Sequence, residues 1–234
     1  ALERGEELRR RCLKAYEEYE FHTVFHAVLD FLTVDLSAFY LDVTKDRVYC
    51  SDPGSDLRRS AQTAMFHILR QNLLLMAPIL SFTADEAWGH LPAYAGKEES
   101  VHLGLFPLED RSWLGQRSDL MKDMEKLLEV RELVLKELEK AREAKAIGNS
   151  LKVIVRAPGP THELLVRHRD LLAELFIVSA VELEAGAGEV EARVERAPGA
   201  KCERCWNYST SVGRSSASPT FCARCEDVVK GSRG

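Results

Sequence analysis

Four cysteines near the end of the chain fall as Cys202-Glu-Arg-Cys205 and Cys222-Ala-Arg-Cys225, with sixteen residues between the pairs. A two-residue gap lets both sulfurs of a pair turn toward one ion from a tight knuckle, and a second knuckle closes the tetrahedron. The segment between them, Trp206 to Phe221, is polar and rich in small residues, with Gly213 and Pro219 to turn it. No histidine lies among these residues, so the expected ligands of one structural zinc are Cys202, Cys205, Cys222 and Cys225. Disulfides would need an oxidising compartment, and a redox Cys-x-x-Cys comes once beside a βαβ pattern, not twice. The spacing predicts a four-cysteine zinc ribbon or knuckle.

A site closed by four thiolates has no open position for water or substrate, so it holds structure and does no chemistry. Apart from the cysteines, Trp206, Tyr208, Val212, Phe221, Val228 and Val229 are nearly the whole apolar supply of residues 201–230. Metal binding and folding are then one event, and the tail is expected to be unfolded without zinc. From Lys201 to Gly234 six Lys/Arg face three Asp/Glu, in a chain whose formal net charge is -5. Lys201, Arg204, Arg214 and Arg224 around Trp206 suit single-stranded RNA: phosphates take the charge, and an unpaired base stacks on the indole. On sequence alone, Trp206 serves equally well as the core residue of this tail.

The 234 residues have room for one large domain plus one or two small ones. The longest apolar stretch, Leu73 to Leu80, contains Pro78 and is far too short to span a bilayer. The N-terminus is charged from Glu3, lacks the apolar core of a signal peptide and opens inside a helical pattern, as in a piece of a longer protein. Cys12 and Cys50 stand alone and are expected to be reduced and structural, which fits a cytoplasmic protein. Mild net acidity restricts any nucleic-acid contact to a local patch.

Residues 1–147 read as an antiparallel helix bundle. Leu8, Cys12, Ala15 and Tyr19 fall on one face; Phe21, Val24, Phe25, Val28, Leu29 and Leu32 follow at helical spacing, ending near Asp35. Pro53-Gly54 breaks the pattern, and Ser55 or Asp56 caps a helix to Met76 with the stripe Leu57, Ala61, Ala64, Ile68 and Leu75. A short helix starts at Ser81, and a long one spans Asp119 to Ala146 with a seam of Leu120, Met124, Leu127, Val134, Leu138 and Ala141. Charges on that last helix are balanced, as on a solvated face. His22 and His26 lie one turn apart but lack the glutamate a zinc hydrolase places after its first histidine, which favours a structural role. Asp85 and Glu86 are adjacent and point in different directions, a poor acid–base pair that suits a helix start.

A smaller α/β module follows over 148–197, with the zinc tail at 198–234. Lys152 to Arg156 reads as a strand, Pro158-Gly-Pro160 leads into a helix through Leu164 and Leu165, and a second helical piece covers Asp170 to Phe176. Ile177 to Leu183 and Val190 to Val194 read as two more strands, with Ala185-Gly-Ala-Gly188 as a hairpin loop between them.

Asp35-Leu-Ser-Ala-Phe-Tyr-Leu-Asp42, Lys45-Asp-Arg-Val-Tyr49 and Leu75-Met-Ala-Pro-Ile-Leu-Ser-Phe-Thr-Ala-Asp-Glu-Ala-Trp88 resemble the helical anticodon-binding domain of class I aminoacyl-tRNA synthetases. Ser100 to Pro107 is similar to the strand-like link of that family, and Lys145 to Lys152 to its exit from the last helix. Cys202-Glu-Arg-Cys-Trp-Asn207 with Cys222-Ala-Arg-Cys225 narrows the resemblance to the bacterial isoleucyl-tRNA synthetase family, whose C-terminal part it covers over essentially the whole chain. The zinc segment alone also resembles the finger of formamidopyrimidine-DNA glycosylase. The resemblance implies a part that holds the anticodon arm of tRNA(Ile) while a catalytic body elsewhere in the enzyme charges the acceptor end with ATP. His-Ile-Gly-His and Lys-Met-Ser-Lys-Ser, the ATP-handling signatures of the family, occur nowhere in these residues, so no catalytic residue is assigned and the chain alone is expected to be inactive. The alternative is a free-standing zinc-containing RNA- or DNA-binding module.

Overall fold

A computed structural model describes residues 1–106, 118–143 and 151–231. Pro107, the Lys145–Ser150 part of the exit motif, the helix end at Ala146 and the 147/148 boundary lie outside the described residues. The chain forms two compact units, Ala1–Thr44 with Gly54–Gln116, and Lys45–Pro53 with Arg117–Gly234.

The first unit is helical. α1 (Leu2–Glu17) turns at Tyr19 into α2 (Phe21–Asp30), which continues through a π-helical stretch, Phe31–Leu41, into α3 (Asp42–Cys50). The helix expected to end near Asp35 therefore runs unbroken from Phe21 to Cys50. No proline or glycine interrupts it, and Asp35 is held within it 3.8 Å from Arg4. Thr33 and Thr44 turn their hydroxyls back onto the carbonyls of Leu29 and Tyr40. By length and composition this helix is apolar enough to cross a bilayer, with a mean hydropathy of 1.5, a property hidden by the shorter sequence-based span. One of its faces is covered: Val24, Ala27, Val28 and Phe31 are buried with Leu8 and Cys12 of α1 and with Ile68 and Leu75 of α4 (Asp56–Met76). Phe21, Phe25, Leu29 and Leu32 of the expected stripe stay exposed, as do Tyr19 and Leu57.

α4 starts where expected, with Ser55 accepting the N–H of Arg58. The Tyr16 hydroxyl donates to the Leu75 carbonyl at 2.7 Å and ties α1 to α4. α5 (Ser81–His90) buries Trp88, whose indole N–H donates to the Glu98 carbonyl. Asp85 accepts from Ser100 Oγ at 2.6 Å and from Val101 N at 3.0 Å, anchoring the short 3-10 turn Val101–Leu103. Its role is to hold a loop. His22 and His26 are both exposed.

In the second unit, β1 (Leu151–Ala157) is central, parallel to β2 (Ala180–Ala185) and antiparallel to β3 (Glu191–Arg196). α7 (Gly159–Arg167) and α8 (Arg169–Phe176) make the crossover from β1 to β2. Ile177 does not begin the next strand. It takes a left-handed conformation (φ 56°) that ends α8, so the strand starts at Ala180. The loop through Gly186 and Gly188 is likewise no hairpin, because β2 and β3 flank β1 on opposite sides and the chain crosses past its end there. α6 (Ser118–Glu143) packs on β3 and α8 and buries Leu127, Val130, Val134 and Leu138, while Leu120 and Met121 of the expected seam are exposed. A two-stranded ribbon, β4 (Ala200–Lys201) with β5 (Tyr208–Ser209), and α9 (Ala223–Gly231) complete the unit. Gly199, at φ +91°, opens the ribbon; any Cβ there would sit 2.3 Å from the Ser209 carbonyl group.

Candidate metal centre and its surroundings

The ribbon brings the first Cys-x-x-Cys knuckle to the N-terminus of α9, where the second begins. Trp206 N–H donates to the Cys202 carbonyl and Cys202 N–H to the Asn207 carbonyl, which curls the first knuckle. Cys222 N–H donates to Cys202 Sγ at 3.3 Å, and Glu226 N–H to the Cys222 carbonyl at 3.0 Å. All four sulfurs lie within 4.8 Å of one another. Cys205 and Cys222 are 3.8 Å apart, which is about the edge of a tetrahedron with Zn–S bonds of about 2.3 Å. Every cysteine is a free thiol, and among the described residues this is the one His/Cys/Asp/Glu cluster spaced to hold a metal.

Burial opposes ionisation of Cys202, but N–H groups of Cys205, Cys222 and Arg204 outweigh it and bring that thiol down to about 6. Burial raises the Cys205 and Cys225 thiols. Four such sulfurs cannot share one small space as thiolates without a cation. A divalent, thiophilic ion is what the donor set fits, and it leaves no vacant coordination position. The tail carries one structural zinc. Around it the apolar supply is thin: Val212 and Phe221 are only partly buried beside the cysteines.

The residues expected on an RNA face separate into two groups. Trp206 is no core residue: it is 70 % exposed, with Lys201 Nζ 5.1 Å from its ring centroid. It also holds φ 66°, a left-handed conformation costing a bulky residue about 1–2 kcal/mol. Arg214 is exposed on the loop between the knuckles. Arg204, partly buried, and Arg224, whose side chain stays 50 % exposed, are by contrast both paired within the unit. Arg204 Nη1 donates to the Cys50 carbonyl at 2.6 Å and to Cys225 Sγ at 3.6 Å, and Nη2 to the Tyr49 carbonyl at 3.4 Å. Arg224 forms a bidentate pair with Asp46 at 2.5 and 2.8 Å, which raises its already high pKa further.

The end of α3 is thus a partner of the zinc knuckles that the linear sequence does not reveal. Cys50, read as isolated, is buried with its Sγ 3.6 Å from the Arg204 carbonyl, and burial pushes its thiol up to about 11. Arg47 grips Glu174 of α8 through two 2.6 Å contacts. Tyr49, beside them, is 76 % exposed. Ser215 Oγ at 2.5 Å and Lys230 Nζ at 2.6 Å meet the Glu226 carboxylate and fix the inter-knuckle loop to α9.

Comparison with known proteins agrees with this arrangement. The family described as "Anticodon-binding domain of tRNA ligase" matches residues 1–157, and "Zinc finger found in FPG and IleRS" matches residues 199–228. Among curated relatives, "Isoleucine--tRNA ligase" of Syntrophotalea carbinolica is 49% identical over 98% of this chain and 26% of its own length. The proteins of that name from Carboxydothermus hydrogenoformans and Thermotoga maritima are 45% and 42% identical, over 98% and 100% of this chain and 25% and 26% of theirs. The chain spans about a quarter of the length of the curated relatives it matches. Through the match over residues 1–157, the chain belongs to the family of anticodon-binding domains of tRNA ligases.

Proposed function

We propose that this chain is the tRNA-binding C-terminal part of an isoleucine–tRNA ligase, holding the anticodon arm of tRNA(Ile) during aminoacylation by a catalytic body elsewhere in the enzyme. In this reading Cys202, Cys205, Cys222 and Cys225 ligate the zinc, and residues 198–234 form a contact tail that follows, in sequence, an α/β module, 148–197, and the helical part, 1–147. The observation that carries it is Trp206: a large ring kept in a strained backbone conformation and left open, beside Lys201, on a rigid knuckle. Strain of that kind clusters at functional sites, where the surrounding structure holds it in place. Unstacked anticodon bases stack on such a ring, worth about 1–3 kcal/mol per base. Lys201 and Arg214 supply phosphate contacts, and Arg204 and Arg224 act by fixing the knuckles. The ATP-dependent chemistry belongs to the rest of the ligase, and the setting is cytoplasmic, without a membrane partner.

The test is tRNA(Ile) binding by the full-length ligase, run beside a zinc assay. Trp206→Ala is expected to weaken binding roughly 5- to 150-fold, the range those energies imply, with zinc retained. Unchanged affinity with zinc in place removes Trp206 from the RNA site.

A further inference from the structure

α2 is apolar on two faces, and the described residues cover only one of them. Val24, Ala27, Val28 and Phe31 are buried with side chains of α1 and α4. Phe21, Phe25, Leu29 and Leu32 follow one another at intervals of four, four and three residues, and they run from 50 % exposed at Phe21 to 37 % at Leu32. That spacing draws one continuous stripe over three turns, about 16 Å at about 1.5 Å per residue. Met76, Ile79 and Leu80, at the end of α4 and just beyond it, form the facing wall of a groove of about 90 Å³ against Phe25, Leu29 and Leu32. Every side chain lining it is apolar. Scattered apolar residues are ordinary on a surface, but a ridge and a facing wall with a groove between them mark a place where something docks.

We propose that this groove seats an amphipathic helix from the part of the ligase that lies outside this sequence, an inference that rests on the functional reading above. The relatives are about four times as long as this chain, which covers 26% of the Syntrophotalea carbinolica protein. A body of that size must be held against the helical unit by more than a covalent link if the anticodon arm and the acceptor end are to be served together. The shape fits a helix. α1 already packs on both α2 and α4, and a helix laid along the open stripe completes a four-helix arrangement, its side chains at i, i+4 and i+7 entering between the two walls. Other occupants fit less well. No cation lines the groove to take a phosphate backbone or an anionic lipid headgroup.

The experiment uses the full-length gene product that contains this chain, with Phe25 replaced by the photo-crosslinker p-benzoylphenylalanine and, as control, the same probe at Tyr49. Irradiation followed by mass spectrometry is expected to join position 25 within one molecule to a helical segment outside these 234 residues. Leu29→Asp with Leu80→Asp is expected to cut that yield at least tenfold, and the Tyr49 probe should not give the same adduct. Crosslinks confined to these 234 residues, adducts between two molecules, or flotation of the protein with phosphatidylglycerol vesicles that the paired aspartates abolish would each overturn the proposal. Binding of tRNA(Ile) by the same protein separates the two claims. A protein that crosslinks as expected but binds no tRNA(Ile) defeats the functional reading and leaves the groove assignment standing. One that binds tRNA(Ile) but shows no adduct outside this region defeats the groove assignment alone.

Discussion

The helical unit and the cysteine-built tail become ordered by opposite means. In the first, Val24, Phe31, Ile68, Leu75 and their neighbours are nearly fully buried, and each large apolar side chain removed from water contributes about 1.5–3 kcal/mol. In the tail the buried apolar set is Cys202, Cys222 and Cys225, with Val212 and Phe221 only partly covered. That is too little apolar surface to fix some thirty residues against their conformational entropy. A structural zinc supplies about 10–16 kcal/mol of apparent binding energy in peptides of this size. The two regions should therefore fail independently, one through its packing and the other through its metal.

The largest expected effect follows from breaking the metal site. Cys222→Ser is expected to release the zinc and unfold residues 199–230, with the helical unit keeping its circular dichroism. Full zinc occupancy in that variant, measured by elemental analysis, would remove Cys222 from the ligand set. The converse variant, Leu75→Ala, empties a fully buried position between α1 and α4. It should cost the helical unit about 2–5 kcal/mol in denaturant unfolding and leave zinc content unchanged.

A smaller effect tests the arginines. If Arg224 acts through Asp46, then Asp46→Ala, Arg224→Ala and the double variant should weaken tRNA binding by similar, few-fold amounts, with the slope of affinity against salt unaltered. If Arg224 instead meets a phosphate, Arg224→Ala alone lowers that slope by about one unit and Asp46→Ala does not.

The smallest effect concerns pH. Burial pushes the Cys12 thiol up to about 11, above its value in the unfolded chain. Its contribution is therefore fully present below about pH 8.5, the ordinary thiol value, and is lost as pH rises toward 11. Thermal melts of the helical unit should fall over that window, and Cys12→Val should flatten the fall. An identical pH dependence in the variant would show that another group is responsible; Tyr16, also raised by burial to about 12, is the first candidate.

How much of this was legible in the sequence depended on the distance between partners. The zinc knuckles could be read because each pair of cysteines is local and its spacing has few other uses. α4 could be read because Ser55 and Met76 bound one helical pattern. The run of α2 through the π-helical stretch was hidden by Asp35, which looks like a terminator until Arg4 is found beside it. Periodicity likewise placed Phe25 and Val28 on one stripe and could not say that one is covered and the other open. The links from Arg204 to Cys50 and from Arg224 to Asp46 join residues more than 150 positions apart. Nothing in the local chemistry of a Cys-x-x-Cys loop announces them. A pattern rich in arginine therefore reads as an RNA face, although two of its four cations are already engaged.

The central claim is that metal orders the tail and packing orders the helices, and amide hydrogen exchange before and after zinc chelation tests it most directly. Chelation under reducing conditions should abolish protection across residues 199–230 and leave the slow amides of α1, α2 and α4 unchanged. Persistent protection around Cys202 and Cys225 after complete zinc removal, or loss of protection in α4 along with the tail, would contradict the account.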